Sequence, residues 1–438
     1  MLTKLFADHL DTLRKRIDTA LAQQKFDTLA IFAGRAPMQF LDDQSYPFKA
    51  NPHFKQWVPL QGTAECWLTY RPGDRPTLLF LQPEDYWHQA GSVPNDFWTS
   101  LFEIEVIRDA DRAKPYLAKL RNCAFVGDWQ DKFADWGELK VNPPDLIEQL
   151  HFSRACKTPF ELECMRRASV IGVQGHRAAE SAFRSGASEF EIHIEYLRAS
   201  MQGENDLPYS NIVALNRHAA VLHYQHQERE RPARHLSFLI DAGGNYLGYA
   251  SDITRTYSSA AGEFAELIER LNSLQQELCA EVRSGVDYVD IHLSAHRKIA
   301  EALHDVGLIR SSAASAAESG LTSVFFPHGI GHLIGLQVHD VSGFAVDESG
   351  KQRPAPLGHP FLRLTRKLEP GFVVTIEPGI YFIDMLLREA RAKPFARDID
   401  WERVEALHPY GGIRIEDDVV CTEDEPENLT RAAFAAAQ

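Results

Sequence analysis

The sequence predicts an α+β protein with two domains. Its 438 residues exceed what one small hydrophobic core requires, so the length favours more than one domain. Roughly the first 150 residues alternate short apolar strands with helical segments, which is typical of an α/β domain. The remainder mixes helices with hairpin-like strand pairs and lacks strict strand–helix alternation. We therefore expect a smaller N-terminal α/β domain over residues 1–155 and a larger domain over residues 156–438.

The elements of the N-terminal domain follow from its apolar runs. Residues 1–21 are amphipathic and charged every few positions, which predicts a helix and not a signal peptide. The apolar runs 29–34 and 76–81 predict buried strands, and the stretch from Ala110 to Leu120 predicts a helix. Residues 35–60 are dense in aromatic residues and prolines, so we expect a structured loop there.

Capping signals and apolar periodicity predict the helices of the second domain. Thr158 and Ser188 each precede a glutamate by three positions, the pattern of a capping box at a helix start. Leucines at helical spacing predict a further helix over residues 267–278, and another is expected from Val289 to Val306. The small residues of 311–320 predict a flexible loop.

The predicted strands of the second domain carry most of the acidic candidates. We expect these strands at residues 235–243, 248–258, 372–382 and 411–422. Asp241 ends the first strand, Asp252 sits in the second, and the glycines between them suit a hairpin turn. Glu377 is followed by a proline and a glycine that break the third strand. Arg414 and Glu416, two positions apart, are expected to project from one face of the fourth.

One histidine and four carboxylates on or beside core strands predict a metal centre. His332 lies in the segment HGIGHLIGLQVHD (residues 328–340). Each residue alone has an ordinary interpretation, such as a solvated turn aspartate or a surface histidine. As a set they would be costly to bury unless a cation neutralised them. Such an oxygen-rich set suits a hydrolytic centre with two Mn²⁺, Co²⁺ or Zn²⁺ ions better than a structural zinc.

Composition argues against several other classes of protein. A net charge of −15 disfavours nucleic acid as the main partner. The six cysteines form no CxxC pair, so they predict neither a disulfide framework nor a zinc ribbon. No stretch approaches the roughly 18 uncharged apolar residues of a membrane span. We expect a cytoplasmic protein without membrane or nucleic-acid partners.

The motifs that carry the candidate ligands resemble those of a known family. The ordered segments DAG, YASDITRT, PHGIGHLIGLQVHD, TIEPGIYF and GGIRIEDDVV are similar to those of the pita-bread metallopeptidases, which include methionine aminopeptidase, aminopeptidase P and prolidase. The N-terminal segment FLDDQSYPFKANPHFKQWVP resembles that of bacterial Xaa-Pro dipeptidases and of the related organophosphorus acid anhydrolases. The resemblance covers the whole chain. It implies a C-terminal pita-bread catalytic domain behind a smaller N-terminal domain.

The resemblance implies a role for each proposed metal ligand. Asp241 would bind one ion, His332 and Glu377 the other, and Asp252 and Glu416 would bridge both. The family usually binds two Mn²⁺ ions per subunit. Glu377 would also take the proton of the attacking water and pass it to the leaving nitrogen.

The resemblance further implies residues that contact the substrate. His223 and His339 would line the site and contact the scissile peptide, and His328 would be the outer histidine of the HGxGH motif. Arg363 would hold the carboxylate of a C-terminal proline, since arginine pairs bidentately with carboxylates. We group Arg414 with these substrate-binding residues because of its strand position.

The combined prediction is a homodimeric dipeptidase that cleaves dipeptides with a C-terminal proline. The N-terminal domain is expected to form the dimer surface and a lid. Asp43 would reach the partner subunit's active site and bind the substrate's amino group, unless Asp42 and Asp43 only cap a turn. The alternatives are organophosphate hydrolysis as main or side activity, and an inactive pita-bread binding module, which the five intact ligands disfavour. Aminopeptidase P is disfavoured by the FLDD…PFK segment.

Overall fold

The chain divides into two compact units, which we call the N-terminal unit and the C-terminal unit. The structure is a computed structural model that describes residues 1–60, 62–87 and 91–437. The N-terminal unit comprises Met1–Glu163 with Asp347–Lys351, and the C-terminal unit comprises Cys164–Val346 with Gln352–Gln438. All five predicted metal ligands belong to the C-terminal unit.

The N-terminal unit contains a six-stranded mixed sheet. Its strands β1 to β6 span Thr28–Phe32, Trp67–Tyr70, Thr77–Leu81, Glu103–Ile107, Cys123–Val126 and Leu139–Val141, in the order β4-β3-β2-β1-β5-β6. Strand β1 is buried along its whole length and pairs antiparallel with β2 and parallel with β5. The α-helices α1 to α4 span Leu2–Gln24, Pro52–Trp57, Lys114–Leu117 and Pro144–Arg154. Strands and helices thus combine as the apolar runs predicted.

Two expectations for this unit need correction. The predicted loop over residues 35–60 contains helix α2, because the Asn51 side chain accepts a hydrogen bond from the His53 backbone and Pro52 fits the first helical turn. The helix expected from Ala110 to Leu120 is shorter. It begins with a 3₁₀ turn, Ala110–Ala113, and continues as α3 only to Leu117.

The remaining α-helices confirm the capping signals. Helices α5 to α13 span Pro159–Arg184, Glu189–Ser200, Glu263–Ala280, Tyr288–Asp305, Ala313–Glu318, Thr322–Phe325, Asp384–Ala390, Trp401–Leu407 and Leu429–Ala436. Before α5, the Thr158 backbone N–H donates to Glu161 (2.8 Å) and the Glu161 N–H donates to the Thr158 hydroxyl (3.4 Å). Ser188 and Glu191 form the same reciprocal pair before α6.

The prediction of a flexible loop over residues 311–320 is wrong. Helix α9 occupies Ala313–Glu318, and the Ser312 side chain accepts a hydrogen bond from the Ser315 backbone. Alanine has the highest helix propensity, and a serine N-cap satisfies one of the free N–H groups of the first turn. Residues 313–318 show no apolar periodicity because this short helix is mostly exposed and buries only Ala316.

The strands of the C-terminal unit form small antiparallel sheets. Strands β7 to β16 span Ile212–Leu215, Ser237–Asp241, Asn245–Tyr246, Tyr249–Ala250, Thr254–Ser258, Val373–Ile376, Gly379–Tyr381, Gly412–Arg414, Asp417–Val420 and Glu427–Asn428. Two three-stranded sheets have the orders β11-β8-β7 and β12-β15-β16, and β9 pairs with β10 and β13 with β14. Strand β12 is buried throughout, and β8 is buried except at its last residue, so apolar side chains fix both strands.

Besides the expected break after Glu377, between β12 and β13, two more predicted strands are interrupted at candidate ligands. Asp252 lies between β10 and β11, because its backbone N–H donates to the Asp418 carboxylate (3.0 Å) and not to a neighbouring strand. Glu416 lies between β14 and β15, where its backbone N–H donates to the Thr254 carbonyl (3.0 Å). Arg414 and Glu416 therefore do not share one continuous strand. This bridge joins the β11 region to the β14–β15 region and brings ligands from both together.

No helix among residues 1–60, 62–87 and 91–437 has the length and apolar character needed to cross a membrane.

Candidate metal centre and active site

Four predicted ligands converge directly, and the fifth joins them through a shared tyrosine. One ligand atom each from Asp252, His332 and Glu416 lies within 4.8 Å of the other two. His332 Nε2 is 3.6 Å from Asp252 Oδ2 and 3.8 Å from Glu377 Oε1. The hydroxyl of Tyr209 lies 2.8 Å from Asp241 Oδ1 and 2.5 Å from Asp252 Oδ1.

The hairpin between Asp241 and Asp252 confirms the predicted turn. Strand β8 pairs with β11 in a register that sets Asp241 opposite Thr254. Between them, β9 and β10 form a shorter antiparallel pair. The Thr254 hydroxyl donates to Glu416 Oε2 (2.6 Å), so the hairpin holds a carboxylate that arrives from far along the chain.

The segment that carries His332 packs closely against strand β12, and hydrogen bonds between them fix the position of His332. The His332 N–H donates to the Thr375 hydroxyl (3.1 Å), the Thr375 N–H donates to the His332 carbonyl (3.0 Å), and the Glu377 N–H donates to the Ile330 carbonyl (2.8 Å). A Cβ atom at Gly331 would lie 2.1 Å from the Thr375 carbonyl oxygen, so only glycine fits. This contact fixes His332 and Glu377 against each other.

The His332 side chain presents a free lone pair to the carboxylates. Its Nδ1 lies 3.0 Å from the Leu333 carbonyl, which can only accept, so Nδ1 carries the proton and Nε2 is left bare. Burial, followed by the charge of His339, lowers the pKa of His332 to about 3. The neutral ring with an oriented Nε2 is the form that binds a metal.

Burial and mutual repulsion disfavour the charged forms of the clustered carboxylates. Burial and then neighbouring carboxylates raise the pKa values of Asp252 and Glu416 well above their ordinary values. Burial also raises the pKa of Glu377 to about 8, although Arg414 opposes the shift. A bound divalent cation removes this repulsion, and four carboxylates with one imidazole are a donor set that hydrolytic metal ions accept. The residues present therefore fit a divalent metal cofactor.

Arg414 is engaged with the ligand set and is almost fully buried. Its guanidinium donates to Asp241 Oδ2 (2.7 Å), to the Thr254 hydroxyl (3.2 Å) and to the Tyr381 hydroxyl (3.0 Å). Its side chain is 5% exposed. Arg414 thus orients a candidate ligand, Asp241, and a tyrosine, Tyr381, and its guanidinium does not face open solvent.

His328 lies at the end of this hydrogen-bond chain. Its Nδ1 donates to the Gly329 carbonyl (2.8 Å), so its Nε2 accepts from the Tyr381 hydroxyl (2.8 Å). Burial and the Arg414 charge lower the pKa of His328 to about 3. His328 Nδ1 is 3.7 Å from Glu377 Oε2. The histidine is therefore neutral and lies beside a candidate ligand.

Three further predicted residues lie close enough to the centre to interact electrostatically. The rings of His332 and His339 meet edge to face, with centroids 4.4 Å apart. Burial, then the charges of Arg363 and His223, lower the pKa of His339. His223, His339 and Arg363 are all exposed, as residues that meet a substrate should be.

Asp43 lies in the N-terminal unit on an exposed loop. The Asp42 carboxylate caps the turn there, accepting hydrogen bonds from the backbone of Asp43 (2.7 Å) and Gln44 (3.2 Å). The Asp43 carboxylate itself has a long contact with the Gln44 amide (3.5 Å). Asp42 therefore serves the turn, while Asp43 is left accessible.

Sequence reasoning missed several supporting residues, of which Tyr209 is the most prominent. Burial and the charges of Asp241 and Asp252 raise its pKa well above the ordinary value, so it stays a hydroxyl donor. Nothing in the local sequence of Tyr209 marks it, because its partners are 32 and 43 residues away. Asp418, which holds the Asp252 backbone, had a visible signal in the paired aspartates of IEDD.

Comparisons with known proteins assign both parts of the chain to a family. Residues 4–152 match the family model described as Xaa-Pro dipeptidase, N-terminal domain, and residues 163–423 match metallopeptidase family M24. A Xaa-Pro dipeptidase of Stenotrophomonas maltophilia (strain K279a) is 50% identical over 435 residues, which cover 99% of this chain and 98% of the relative. One of Shewanella oneidensis is 50% identical over 424 residues, which cover 97% of each chain.

A solved structure supports the fold. Aminopeptidase P from Escherichia coli with the inhibitor Pro-Leu superposes with a TM-score of 0.71 at 22% identity, covering 97% of this chain and 98% of that one. At this identity the likeness bears on the fold alone, and it confirms the predicted pita-bread architecture with a smaller N-terminal domain. The chain therefore belongs to metallopeptidase family M24, and within that family to the bacterial Xaa-Pro dipeptidases.

Proposed function

We propose that this chain is a metal-dependent dipeptidase that hydrolyses dipeptides with a C-terminal proline. The observation that carries the proposal is the convergence of four buried or half-buried carboxylates with the bare Nε2 of one histidine. The named activity of relatives that are 50% identical over nearly the full chain supports the same substrate class. The ligands are Asp241, Asp252, His332, Glu377 and Glu416.

We propose two divalent ions per chain, most suitably Mn²⁺. Asp241 would hold one ion, His332 and Glu377 would hold the other, and Asp252 and Glu416 would be shared by both. Asp252 suits a bridge because one of its oxygens faces the tyrosine shared with Asp241 while the other faces His332. When bound, the ions supply a hydroxide nucleophile near neutral pH and polarise the peptide carbonyl.

Glu377 and the histidines carry the remaining steps. The Glu377 side chain is 18% exposed, against 7% for Asp252, so a water and a leaving nitrogen can reach it. Glu377 takes the proton of the attacking water and delivers it to the proline nitrogen. His339 donates to the developing oxyanion, and His223 contacts the scissile peptide. Both ring nitrogens of His328 are engaged by Gly329 and Tyr381, so His328 lines the site beside Glu377 and does not bind the peptide through a nitrogen.

The two arginines divide the work of substrate binding. Arg363 is exposed and pairs with the free carboxylate of the C-terminal proline, which limits the substrate to a dipeptide. Arg414 does not contact the substrate directly. It donates to Asp241 and to the Tyr381 hydroxyl, which in turn orients His328.

We further propose a cytoplasmic homodimer. The N-terminal domain, residues 1–155, forms the subunit contact and a lid, and residues 156–438 form the dinuclear catalytic domain. Phe40 and Leu41, beside Asp43, are 89% and 91% exposed, and neighbouring apolar side chains left in solvent suit a protein interface. Asp43 binds the substrate's amino group at the partner subunit's active site.

The alternative functions gain no support. The curated relatives carry the dipeptidase name, which favours peptide hydrolysis over organophosphate hydrolysis as the main activity. An inactive binding module has no need of a converged ligand set, and this chain retains one.

The test is a substrate panel with Mn²⁺-loaded enzyme: several Xaa-Pro dipeptides, an Xaa-Pro-Xaa tripeptide and a phosphofluoridate. The proposal expects rapid cleavage of the dipeptides and little cleavage of the tripeptide. A tripeptide cleaved as well as the dipeptides would overturn the dipeptidase assignment, and a phosphofluoridate turned over fastest would favour the alternative. The Glu416→Ala variant controls for contaminating peptidases.

A further inference from the structure

A second cluster of possible metal ligands shares no residue with the carboxylate centre. His292 and His296 are one turn apart on helix α8, so both point to one side of it. His359 joins them from a tight turn in which the His359 N–H donates to the Pro356 carbonyl (3.0 Å). One ring nitrogen of each histidine lies within 4.8 Å of those of the other two. Their ring centroids are 4.7 to 4.8 Å apart.

The hydrogen bonds of the cluster leave its nitrogens only partly satisfied. His292 Nε2 faces His359 Nδ1 at 2.9 Å, and His296 Nδ1 lies 2.7 Å from the Thr322 hydroxyl. His292 Nδ1 is buried and has no hydrogen-bond partner among the described residues. Because Nδ1 and Nε2 point away from each other, His292 would bind an ion through Nε2, the nitrogen that faces His359.

The electrostatic environment keeps the three rings neutral. Burial lowers the pKa of His292 to about 2 and that of His296 to about 4, and it also lowers the pKa of His359. Neutral imidazoles offer lone pairs to a metal, whereas protonated ones repel it. His292 and His296 are 1% and 4% exposed, while His359 is half-buried, so a small cation can enter from the His359 side.

We propose that His292, His296 and His359 form a third metal site, separate from the catalytic centre, that binds Zn²⁺ or a similar nitrogen-preferring cation. Zinc bound at about 2.0–2.1 Å to each nitrogen needs nitrogen–nitrogen separations of about 3.4 Å, so the 2.9 Å pair has to open slightly and the other pairs, which lie within 4.8 Å, have to close to the same separation. Thr322 accepts or donates at the outer nitrogen of His296, as the supporting partners of metal-bound histidines do.

The all-nitrogen donor set separates this site from the catalytic one. Three imidazoles select Zn²⁺, Ni²⁺, Co²⁺ or Cu²⁺, while the carboxylate centre suits the harder Mn²⁺. The site also ties helix α8 to the segment that carries Arg363, because the Leu362 N–H donates to the His359 carbonyl (3.2 Å). An ion there holds that segment in place.

The test measures metal uptake and does not depend on peptide hydrolysis. Enzyme saturated with Mn²⁺ is dialysed against trace Zn²⁺, and both metals are counted by mass spectrometry. Wild-type protein is expected to gain one Zn²⁺ without losing Mn²⁺. His359→Ala, which changes the least buried ligand, is expected to bind that Zn²⁺ at least tenfold more weakly. His304→Ala, an exposed histidine of the same helix, serves as the matched control and is expected to match wild type.

A second measurement guards against misfolding and against binding elsewhere. Co²⁺ at the three-histidine site should give the visible absorption of a four-coordinate ion, which Glu416→Ala retains and His296→Gln loses. Circular dichroism establishes that each variant is folded. Zn²⁺ uptake that only displaces Mn²⁺, or equal uptake by wild type and by folded His359→Ala and His296→Gln, would overturn the proposal.

Discussion

Arg363 is the residue whose proposed role separates substrate recognition from catalysis. Its side chain is exposed and carries a full charge beside His339. A bidentate pair with a carboxylate is worth on the order of 2–3 kcal/mol, so Arg363→Ala should lose roughly 30- to 150-fold in kcat/KM for Xaa-Pro dipeptides. Hydrolysis of a carboxylate-free organophosphate should fall much less.

Steady-state kinetics on both substrates check this expectation. Arg388→Ala, in helix α11, provides a control for loss of one positive charge elsewhere on the unit. Equal losses on the dipeptide and the organophosphate would show that Arg363 supports structure and does not recognise the substrate.

Among single residues, the sequence predicts the side chains that converge better than it predicts their surroundings. The four carboxylates and the histidine could be predicted to converge because such residues in recurring motifs indicate a metal centre. Tyr209 and Thr254 could not, because a tyrosine or threonine gains its role only when folding brings distant carboxylates to it. The sequence predicts one continuous strand through Arg414 and Glu416, but strand β14 ends at Arg414. The Arg414 guanidinium nevertheless contacts the cluster by donating to Asp241.

Among the elements, the contact between residues 330–333 and strand β12 places two of the proposed ligands, His332 and Glu377. A methyl group at Gly331 would collide with the Thr375 carbonyl and force the two segments apart. We expect Gly331→Ala to lose metal binding and most activity, since His332 and Glu377 would no longer face each other. Metal content and thermal unfolding of the purified variant measure this loss.

Gly320→Ala separates collision from backbone strain. Gly320 has φ of +75°, but a Cβ atom there meets nothing within 4 Å, so only the strain of a positive φ remains. That strain costs about 1–2 kcal/mol and should leave metal binding intact. Wild-type metal content in Gly331→Ala would contradict the role given to this contact.

A buried histidine in helix α1 predicts a pH dependence for the N-terminal unit. His9 Nε2 donates to the Gln56 carbonyl (2.9 Å) and Nδ1 lies 2.7 Å from the Thr158 hydroxyl. Burial lowers its pKa below 6.5, although Glu161 opposes the shift and Arg16 adds to it. Below pH 6.5 the unfolded chain gains a proton that the folded state refuses, so stability is full above that pH and falls as the pH drops towards the folded pKa.

Tryptophan fluorescence can follow this unfolding, because Trp401 is the only tryptophan in the C-terminal unit. One proton contributes a slope of at most about 1.4 kcal/mol per pH unit to the free energy of unfolding. His9→Gln should flatten the decline below pH 6.5 relative to wild type. An unchanged slope in the variant would mean that His9 is not the responsible group.

Local sequence is enough to predict a helix start, but it is not enough to predict where a strand is interrupted. The capping boxes at Thr158 and Ser188 were predicted because both partners lie within one helical turn. The strand breaks at Asp252 and Glu416 were missed because they depend on Asp418 and Thr254, which lie 166 and 162 residues away along the chain. Helix α9 could not be predicted from composition, because small residues also suit loops and only the Ser312 cap signals a helix start.

At the scale of the whole molecule, the proposed homodimer predicts complementation between inactive subunits. Asp43→Ala and Glu377→Ala are each expected to be inactive. After subunit exchange, half the dimers are mixed, and each has one complete site, so activity should return to about one quarter of wild type. Mixing Asp43→Ala with a variant that lacks both residues is the control, and it should stay inactive.

Native mass spectrometry of the mixture verifies that mixed dimers form. Mixed dimers without activity would rule out a role for Asp43 across the interface. A monomeric enzyme with full dipeptidase activity would rule out the dimer as a requirement.

We infer that this fold holds two metal ions with five residues and uses them to cleave Xaa-Pro dipeptides. The most direct measurement counts Mn²⁺ per chain by mass spectrometry in Mn²⁺-only buffer, alongside dipeptide turnover, for wild type and Glu416→Ala. We expect two ions and rapid turnover in wild type, and fewer than two ions with no turnover in Glu416→Ala, because both ions lose a bridging ligand. Two ions and normal turnover in Glu416→Ala, or full wild-type turnover with fewer than two ions, would contradict the account.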